Sequence, residues 1–252
     1  MRIVDTHCHA GLHKYEPVET LLYHMDQCGV AQAVLIQHMG HYDNRYHQDC
    51  LQRFPGRLAS AMLVEPEDDG TRIRQWALGG QAGIRLRPTS RVRAADPLVQ
   101  WRTAAELDLV VSVHGKPDGL LSSEFAEILS TFPQLCLVLE HLGGIGTQAQ
   151  PPYDDFRRVL ALATHPNVYM KVPGLGEYCP PPPPYPQPVP LARMAVDAFG
   201  PQRLMWGSDF PPVSSREGYA NALHGSMDHL SDLGPDALAW IFGGTARHVW
   251  GL

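Results

Sequence analysis

Short runs of β-branched and other apolar residues alternate with longer amphipathic stretches along the whole of this 252-residue chain. These runs predict eight strands, at Arg2–Cys8, Gln32–Gln37, Arg57–Val64, Ala82–Arg87, Leu109–His114, Leu135–Glu140, Asn167–Val172 and Arg203–Gly207. Helical periodicity predicts helices that include Val18–Cys28, Pro97–Leu107, Glu124–Phe132, Asp154–Thr164, Leu191–Phe199, Tyr219–Leu230 and Pro235–Val249. Because parallel strands need a crossover segment between them, the repeated strand–helix unit predicts a parallel sheet. Eight units are typical of a closed (β/α)8 TIM barrel, an α/β fold that we expect to occupy residues 1–252 as a single domain.

Composition limits the classes of function open to this chain. Hydrophobic residues make up 44% of it, enough for a substantial core. The net charge is −6 and the basic residues are scattered, which argues against a nucleic-acid partner. No apolar run reaches membrane-spanning length and no leader-like segment opens the sequence, so we expect no membrane partner. Five cysteines without Cys-x-x-Cys spacing are typical of reduced thiols, and a cytoplasmic location is expected.

One segment departs from the rest in composition: Pro180–Pro184, followed by Pro186, Pro188 and Pro190. Consecutive prolines favour a stiff, extended backbone. The segment lies inside the seventh strand–helix unit, which favours a loop at the rim of the barrel over an interdomain linker. Tyr178 and Tyr185 would make such a loop a partly apolar lid.

Polar and ionisable residues stand at the carboxyl ends of the predicted strands, where TIM barrels carry their chemistry. They are His7 and His9, His38, Arg85 and Arg87, His114, Glu140 and His141, Lys171, and Asp209. In an extended strand His7 and His9 project to one side about 7 Å apart, with Asp5 on the same face. Two imidazoles so placed can grip one metal ion. An ionisable residue at the end of an apolar strand is stabilised only if solvent, a partner or a ligand contacts it. The presence of so many such residues at one end of the barrel therefore indicates a functional site.

These residues also have structural interpretations. The histidines and the aspartate at strand ends could cap strands or form turns. Arg85 and Arg87 share a strand face and could pair with carboxylates inside the barrel. Lys171 could likewise pair with Glu140 or Asp209.

The ordered set of motifs resembles a known family. It comprises Asp5-Thr6-His7-Cys8-His9, Val113-His114-Gly115, Glu140-His141-Leu142-Gly143-Gly144, Asn167-Val168-Tyr169-Met170-Lys171, Arg203-Leu204-Met205-Trp206-Gly207-Ser208-Asp209-Phe210-Pro211 and Thr245-Ala246-Arg247. Together these motifs resemble the amidohydrolase superfamily, specifically its amidohydrolase 2 branch of metal-dependent TIM-barrel hydrolases, over nearly the whole chain. Dicarboxylate and sugar lactonases belong to this branch, so the resemblance implies a hydrolase and, more narrowly, a lactonase.

The resemblance implies one divalent metal ion with four ligands: His7, His9, His114 and Asp209. It also implies that His141 sits beside the metal and polarises or protonates the substrate. Where binuclear relatives have a metal-bridging lysine on strand four, this chain has Arg85 and Arg87, which argues for one metal at most. Imidazoles with one carboxylate suit Zn²⁺, and Mn²⁺ also. Some members of the branch work without a metal, so a metal-free site stays open.

In this interpretation Asp209 takes the proton from an activated water and later passes it to the leaving group, and His141 stabilises the oxyanion. The predicted reaction is hydrolysis of a C–O or C–N bond in a small molecule, with a lactone as the expected substrate. Four residues are expected to bind it: Arg85, Arg87, Lys171 and His38. Because guanidinium and ammonium groups bind carboxylates, the substrate is expected to be an anion.

Three alternatives remain open from the sequence: a non-oxidative decarboxylase on the same scaffold, a metal-independent lactonase, and a non-catalytic binding barrel. A non-catalytic barrel would lack some of the expected site residues, whereas all of them are present in this sequence. Barrels of this family often pair, so a homodimer is a further expectation. Trp240, Phe242 and Trp250 would then be either interface or packing residues.

Overall fold

Eight parallel strands form one sheet in the computed structural model, which describes residues 1–185 and 188–252. Each strand pairs with the next in chain order, and the bounds are β1 Ile3–Cys8, β2 Val30–Ile36, β3 Leu58–Met62, β4 Gly83–Leu86, β5 Val110–Val113, β6 Leu137–Leu139, β7 Val168–Pro173 and β8 Leu204–Gly207. The strands are buried on both faces, as expected where helices cover the outside of a sheet and side chains fill its inside. The eight predicted strands and the (β/α)8 TIM barrel are confirmed.

The first and last strands meet and close the barrel. Backbone hydrogen bonds from the Asp209 amide to the His7 carbonyl and from the His9 amide to the Phe210 carbonyl, both 2.7 Å, cross this seam. Residues at the carboxyl end of β8 are thereby fixed next to residues at the carboxyl end of β1.

Asp5 reinforces the seam instead of facing the histidine pair. Its carboxylate accepts hydrogen bonds from the Ser208 amide (2.9 Å), the Ser208 hydroxyl (2.6 Å) and the Tyr219 hydroxyl (3.0 Å). The expectation that it shares a face with His7 and His9 is wrong. The pairing register of β1 on β2 shifts between Asp5 and Cys8, and such a shift breaks the simple alternation of side chains.

Helices lie between the strands and cover the outside of the barrel. Their bounds are α1 Val18–Gln27, α2 Arg45–Arg53, α3 Thr71–Leu78, α4 Val99–Glu106, α5 Pro117–Leu120, α6 Ser123–Thr131, α7 His141–Gly144, α8 Asp154–Leu160, α9 Leu191–Phe199, α10 Tyr219–His229, α11 Pro235–Ala239 and α12 Thr245–Trp250. Short 3-10 turns lie at Ala161–Thr164, Leu175–Glu177, Pro201–Arg203, Pro212–Ser215 and Ser231–Leu233. A π-helical turn, Trp240–Gly244, interrupts the last predicted helix. A Cβ on Gly243 would stand 2.0 Å from the Arg2 carbonyl oxygen, so this close approach requires glycine.

Apolar side chains form two layers. Inside the barrel, residues of several strands, among them Ile36, Val138 and Met205, pack with Trp250 of α12. A larger layer fills the space between the sheet and the helices. Trp250 and Phe242 are buried, so packing is confirmed as their role, whereas Trp240 is 37% exposed. Each buried side chain of this size contributes about 1.5–3 kcal/mol.

The proline-rich segment follows the 3-10 turn after β7 and precedes α9. Pro180–Tyr185 and Pro188–Pro190 lie within the described residues, and Pro186 lies outside them. Pro183, Pro184 and Tyr185 border α10, with a cavity of about 780 Å³ between them. In the described part of the chain, every helix is too short or too polar to cross a membrane.

Candidate active site

Three side chains from the two sides of the seam face one another at the carboxyl end of the barrel. His7 lies in β1, His9 directly follows that strand, and Asp209 follows β8. Asp209 Oδ1 lies 3.4 Å from His9 Nε2 and 3.9 Å from His7 Nε2. All three residues are buried, and one ligand atom from each lies within 4.8 Å of the other two. The histidine pair and the aspartate singled out in the sequence therefore come together.

His9 is held in one orientation. Its Nδ1–H donates to the Ile36 carbonyl oxygen over 2.6 Å, and its ring stacks on Tyr15 with centroids 4.9 Å apart. With Nδ1 engaged by this carbonyl, Nε2 is the nitrogen that points to Asp209. A backbone carbonyl on the distal nitrogen is the usual support for a metal-binding histidine.

His7 is held between two basic groups. Its Nδ1 lies 3.1 Å from Lys171 Nζ, and its Nε2 lies 3.2 Å from His141 Nε2. Burial, with added repulsion from Lys171 and His141, lowers the pKa of His7 well below its ordinary value, so the ring is neutral at neutral pH. Burial also lowers the pKa of Lys171, to about 8, so the ammonium group that faces His7 loses its proton only above neutral pH.

Asp209 divides its two carboxylate oxygens between different partners. Oδ1 faces the histidine pair, whereas Oδ2 accepts hydrogen bonds of 3.2 Å from both terminal nitrogens of Arg216. Burial acts to raise the pKa of Asp209, but hydrogen bonding to His9 and the charges of His141, His9 and Arg216 bring it below its ordinary value. The backbone of Asp209 has a φ of 58°, a left-handed conformation that Asp and Asn tolerate better than most residues.

His141 enters the cluster from a turn with unusual backbone geometry. It and the next three residues, through Gly144, all have positive φ angles. A Cβ on Gly144 would stand 2.2 Å from the Gly115 carbonyl oxygen, so the Gly-Gly pair of the motif permits this close approach. Nδ1 of His141 lies 3.9 Å from Glu177 Oε1, and Arg216 bridges Glu177 (2.8 Å) to Asp209. Arg216 and Glu177 thus connect the loops that carry the two predicted catalytic residues.

A second polar network fills the barrel below this cluster, with Glu140 at its centre. Arg85 donates to both Glu140 oxygens, at 2.9 and 2.7 Å, and the Ser112 hydroxyl donates to one of them at 2.7 Å. Burial acts to raise the pKa of Glu140, but Arg85, with smaller contributions from His7, His114 and Lys171, holds that pKa well below its ordinary range. The suggestion that Arg85 pairs with a carboxylate inside the barrel is confirmed.

The structure does not bring His114 into the metal-ligand group. Its Nδ1 lies 2.9 Å from Glu140 Oε2, and its side chain is 39% exposed toward the mouth. Within residues 1–185 and 188–252, the two possible ligand trios are His7, His9 and Asp209, and His7, Glu140 and His141. The attraction of the buried Glu140 carboxylate accounts for the different position of His114.

The four residues expected to bind substrate lie in different surroundings. Arg85 is committed to Glu140, and Lys171 lies buried against His7 and Ser112 (3.2 Å) instead of pairing with a carboxylate. Arg87 is exposed one residue beyond β4. The half-buried ring of His38 stacks on His41 at 4.8 Å. Only Arg87 and His38 are therefore accessible to a ligand.

The cluster of His7, His9 and Asp209 fits a divalent metal ion. Two imidazole nitrogens and a carboxylate oxygen form a donor set that Zn²⁺ and Mn²⁺ accept. His9 presents Nε2, the ring of His7 is neutral, and Asp209 is ionised. Glu140, the carboxylate of the other trio, is already engaged by Arg85, so the first trio is the better site.

Sequence reasoning missed Arg216, Glu177 and Tyr15. Arg216 and Glu177 lie in or beside the 3-10 turns that follow β8 and β7, and Tyr15 lies in the loop after β1. None of the three stands at a strand end, which was the signal that identified the other site residues.

Enzymes with a parallel (β/α)8 barrel carry their active site at the carboxyl end of the strands. The histidine–aspartate cluster lies at that end, as in an enzyme of this fold. A family model described as Amidohydrolase matches residues 4–252, and the chain belongs to the amidohydrolase family, in its amidohydrolase 2 branch. The resemblance read from the motifs is thereby confirmed.

The chain is also similar to individual proteins of known name. The chain is 35% identical to L-fucono-1,5-lactonase of Burkholderia ambifaria over 129 residues, which are 47% of this chain and 42% of that protein. It is 28% identical to 4-sulfomuconolactone hydrolase of Hydrogenophaga intermedia over 205 residues, 77% of this chain and 65% of that protein. It thus spans less than two thirds of either. A probable 2-pyrone-4,6-dicarboxylic acid hydrolase of Acinetobacter baumannii has a TM-score of 0.80 at 19% identity over 100% of both chains, which shows the shared fold.

We expect Arg216→Met to move the acidic limb of the kcat/KM profile to higher pH. Arg216 favours the ionised form of Asp209, so its removal raises the pKa of Asp209 and protonates the base at a higher pH. A shift of about 0.5 to 1 pH unit is expected. The profile is measured on the substrate that the wild type turns over fastest.

Arg72→Met is the matched control, because Arg72 is exposed on α3 and far from the cluster in sequence. An Arg216→Met profile that overlays those of the control and the wild type would show that Arg216 does not act on Asp209.

Proposed function

We propose that this protein is a lactonase that hydrolyses the ring ester of a small carboxylate-bearing or otherwise anionic molecule. The observation that carries the proposal is the approach of Asp209 Oδ1 to within 3.4 and 3.9 Å of the two histidines of β1, with His141 on the other side of His7. Lactone hydrolysis needs a proton acceptor for water and a hydrogen-bond donor for the carbonyl oxygen, and this cluster contains both. Two of the relatives carry names of lactone hydrolases.

A divalent ion held by His7, His9 and Asp209, with Zn²⁺ as the first choice and Mn²⁺ as the second, would polarise the lactone carbonyl and lower the pKa of water. Asp209, ionised at neutral pH, accepts the proton of the attacking water. Water adds to the carbonyl carbon, and the neutral ring of His141 donates a hydrogen bond from Nε2 to the oxygen that gains negative charge. When the ring C–O bond breaks, the proton on Asp209 passes to the departing alkoxide, which leaves a hydroxy acid.

The test is a direct assay of purified protein. L-Fucono-1,5-lactone, 4-sulfomuconolactone and 2-pyrone-4,6-dicarboxylate are supplied separately, and acid release is followed with a pH indicator. Hydrolysis of at least one of them, with the hydroxy acid or its enol tautomer as product, is expected. A decarboxylase would instead release CO₂ from hydroxybenzoate-type acids, and CO₂ without ring opening would overturn the proposal.

Removing divalent ions is expected to lower lactonase activity, and adding Zn²⁺ or Mn²⁺ is expected to restore it. The physical reason is the three-ligand donor set of His7, His9 and Asp209. Metal content is measured by elemental analysis of protein purified without chelator, and His9→Gln is expected to bind less metal. Full activity in a metal-free sample would favour the metal-independent lactonase, with Asp209 acting on water directly.

We also propose a cytoplasmic location. The five cysteines are free thiols, three of them buried. Reduced thiols are typical of that compartment.

A further inference from the structure

A cavity of about 610 Å³ lies beside the catalytic cluster, between the loops that follow β1 and β2. Both loops leave the carboxyl end of the barrel, so the cavity opens on the same end as the active site. Its size is within the range of pockets that hold small molecules. Gln37 forms part of its wall, and the carbonyl oxygen of Gln37 accepts a hydrogen bond from Arg85 inside the barrel at 3.1 Å.

A row of aromatic rings connects the cluster to this cavity. His9 stacks on Tyr15 at 4.9 Å, Tyr15 meets His38 edge-on at 5.3 Å, and His38 stacks on His41 at 4.8 Å. His38 and His41 both line the cavity. A ligand there would lie against His38 and His41, and Tyr15 stands between these rings and His9.

The carboxylates in the cavity wall already have cationic partners. Asp43 pairs with Arg45, and both Glu19 and Asp49 pair with Arg53. Because Glu19 and Asp49 share one arginine, these five groups carry a net charge of −1 on their side of the wall.

The other side of the wall carries positive and hydrogen-bonding groups without such partners. Lys14, His38 and His41 form no ion pair among the residues that the structure describes. Burial, and then the nearby basic groups His41, Lys14, His9 and Arg85, lower the pKa of His38 to about 4, so its ring is neutral at neutral pH. Lys14 therefore supplies the positive charge on this side of the cavity, and the two imidazoles supply N–H donors, a combination that suits an anion.

We propose that this cavity is a binding site for an oxyanion group of the substrate, a carboxylate or a sulfonate, with Lys14 as its ion partner and the imidazole N–H groups of His38 and His41 as hydrogen-bond donors. The inference rests on the proposed lactonase function and names the substrate class. Arg85 and Lys171, which lie inside the barrel, are engaged with Glu140 and His7 and cannot serve this purpose, and Arg87 is not part of the cavity wall. The anionic group occupies the cavity while the lactone ring faces His141 and Asp209.

The first test is equilibrium binding, which does not require turnover. Titration calorimetry, carried out in the Asp209→Asn background so that the lactones are not hydrolysed, measures three Kd values. The ligands are 2-pyrone-4,6-dicarboxylate, which has carboxylates only, 4-sulfomuconolactone, which adds a sulfonate, and L-fucono-1,5-lactone, which has no ionised group. Lys14→Met is expected to weaken binding of one or both anionic lactones about tenfold and to leave the neutral lactone unchanged. Lys116→Met is the matched control, because Lys116 is an exposed lysine after β5 and does not line the cavity.

The outcomes separate this inference from the proposed function. Equal losses for anionic and neutral lactones, or losses in Lys116→Met as large as those in Lys14→Met, would overturn the anion site. Binding that depends on Lys14 without any hydrolysis would retain the anion site and overturn the lactonase. In active protein, the anion site predicts a higher KM with unchanged kcat for Lys14→Met, and a further rise in KM for the double variant with His41→Gln.

Discussion

Asp209→Asn is expected to lower kcat for lactone hydrolysis by about 10²- to 10⁴-fold. The amide cannot accept the proton of the attacking water, whereas it is close in size to the carboxylate. Asparagine also tolerates the left-handed backbone at this position, where φ is 58°, better than alanine does. The variant should therefore fold, which circular dichroism and the melting temperature of the purified protein will show.

Asp118→Asn is the matched control for this experiment. Asp118 is exposed in α5, at the same end of the barrel but outside the cluster. Metal content is measured for both variants, because Asp209 is proposed as both ligand and base. An Asp209→Asn protein that retains activity within about threefold of the control would contradict the role given to Asp209.

Arg85→Met is expected to reduce the free energy of unfolding by about 3–5 kcal/mol at pH 7. The side chains of Arg85 and Glu140 are 6% and 1% exposed, so the substitution leaves a carboxylate inside the barrel without its principal cation. The ion pair holds the pKa of Glu140 well below its ordinary range, and its contribution to stability is present above the unfolded pKa of Glu140. Without Arg85, burial raises that pKa, so the deficit of the variant should shrink as the pH falls below 7. Urea unfolding at pH 7 and pH 5 measures both effects.

Arg158→Met on α8 provides the comparison, because Arg158 and Asp155 form an ion pair with side chains 66% and 70% exposed. Exposed pairs contribute at most about 1 kcal/mol. The double variant Arg85→Met/Glu140→Leu should regain part of the lost stability, since no unpaired carboxylate remains. If Arg85→Met lowers the free energy of unfolding no more than Arg158→Met does, then His114, Ser112 and Lys171 stabilise the Glu140 carboxylate sufficiently without Arg85.

The strand pattern and the chemistry of the strand ends were readable from the sequence for a simple geometric reason. A parallel barrel places every carboxyl end on one face, so His7, His9, His141 and Asp209 had to lie near one another once eight strands were recognised. Their types are compatible with hydrolytic chemistry, but it was the resemblance of the ordered motifs to the amidohydrolase family that implied it.

The partners of individual side chains could not be predicted from the sequence in the same way. Arg85 could have served the substrate or the barrel interior, and only the three-dimensional register of β4, β5 and β6 places it on Glu140. His114 follows its strand as expected, but its Nδ1 meets the same carboxylate. Arg216 depends on the path of a loop, for which a periodic pattern gives no signal.

The seam between β1 and β8 has a consequence for when the enzyme becomes active. Asp5 and Ser208, which it joins, are 203 positions apart, so the seam can form only after all of the intervening strands have left the ribosome. A nascent chain carries the histidine pair of β1 long before it gains the aspartate that follows β8. The catalytic cluster therefore assembles in the same step that closes the barrel, and a chain that stops before β8 remains inert.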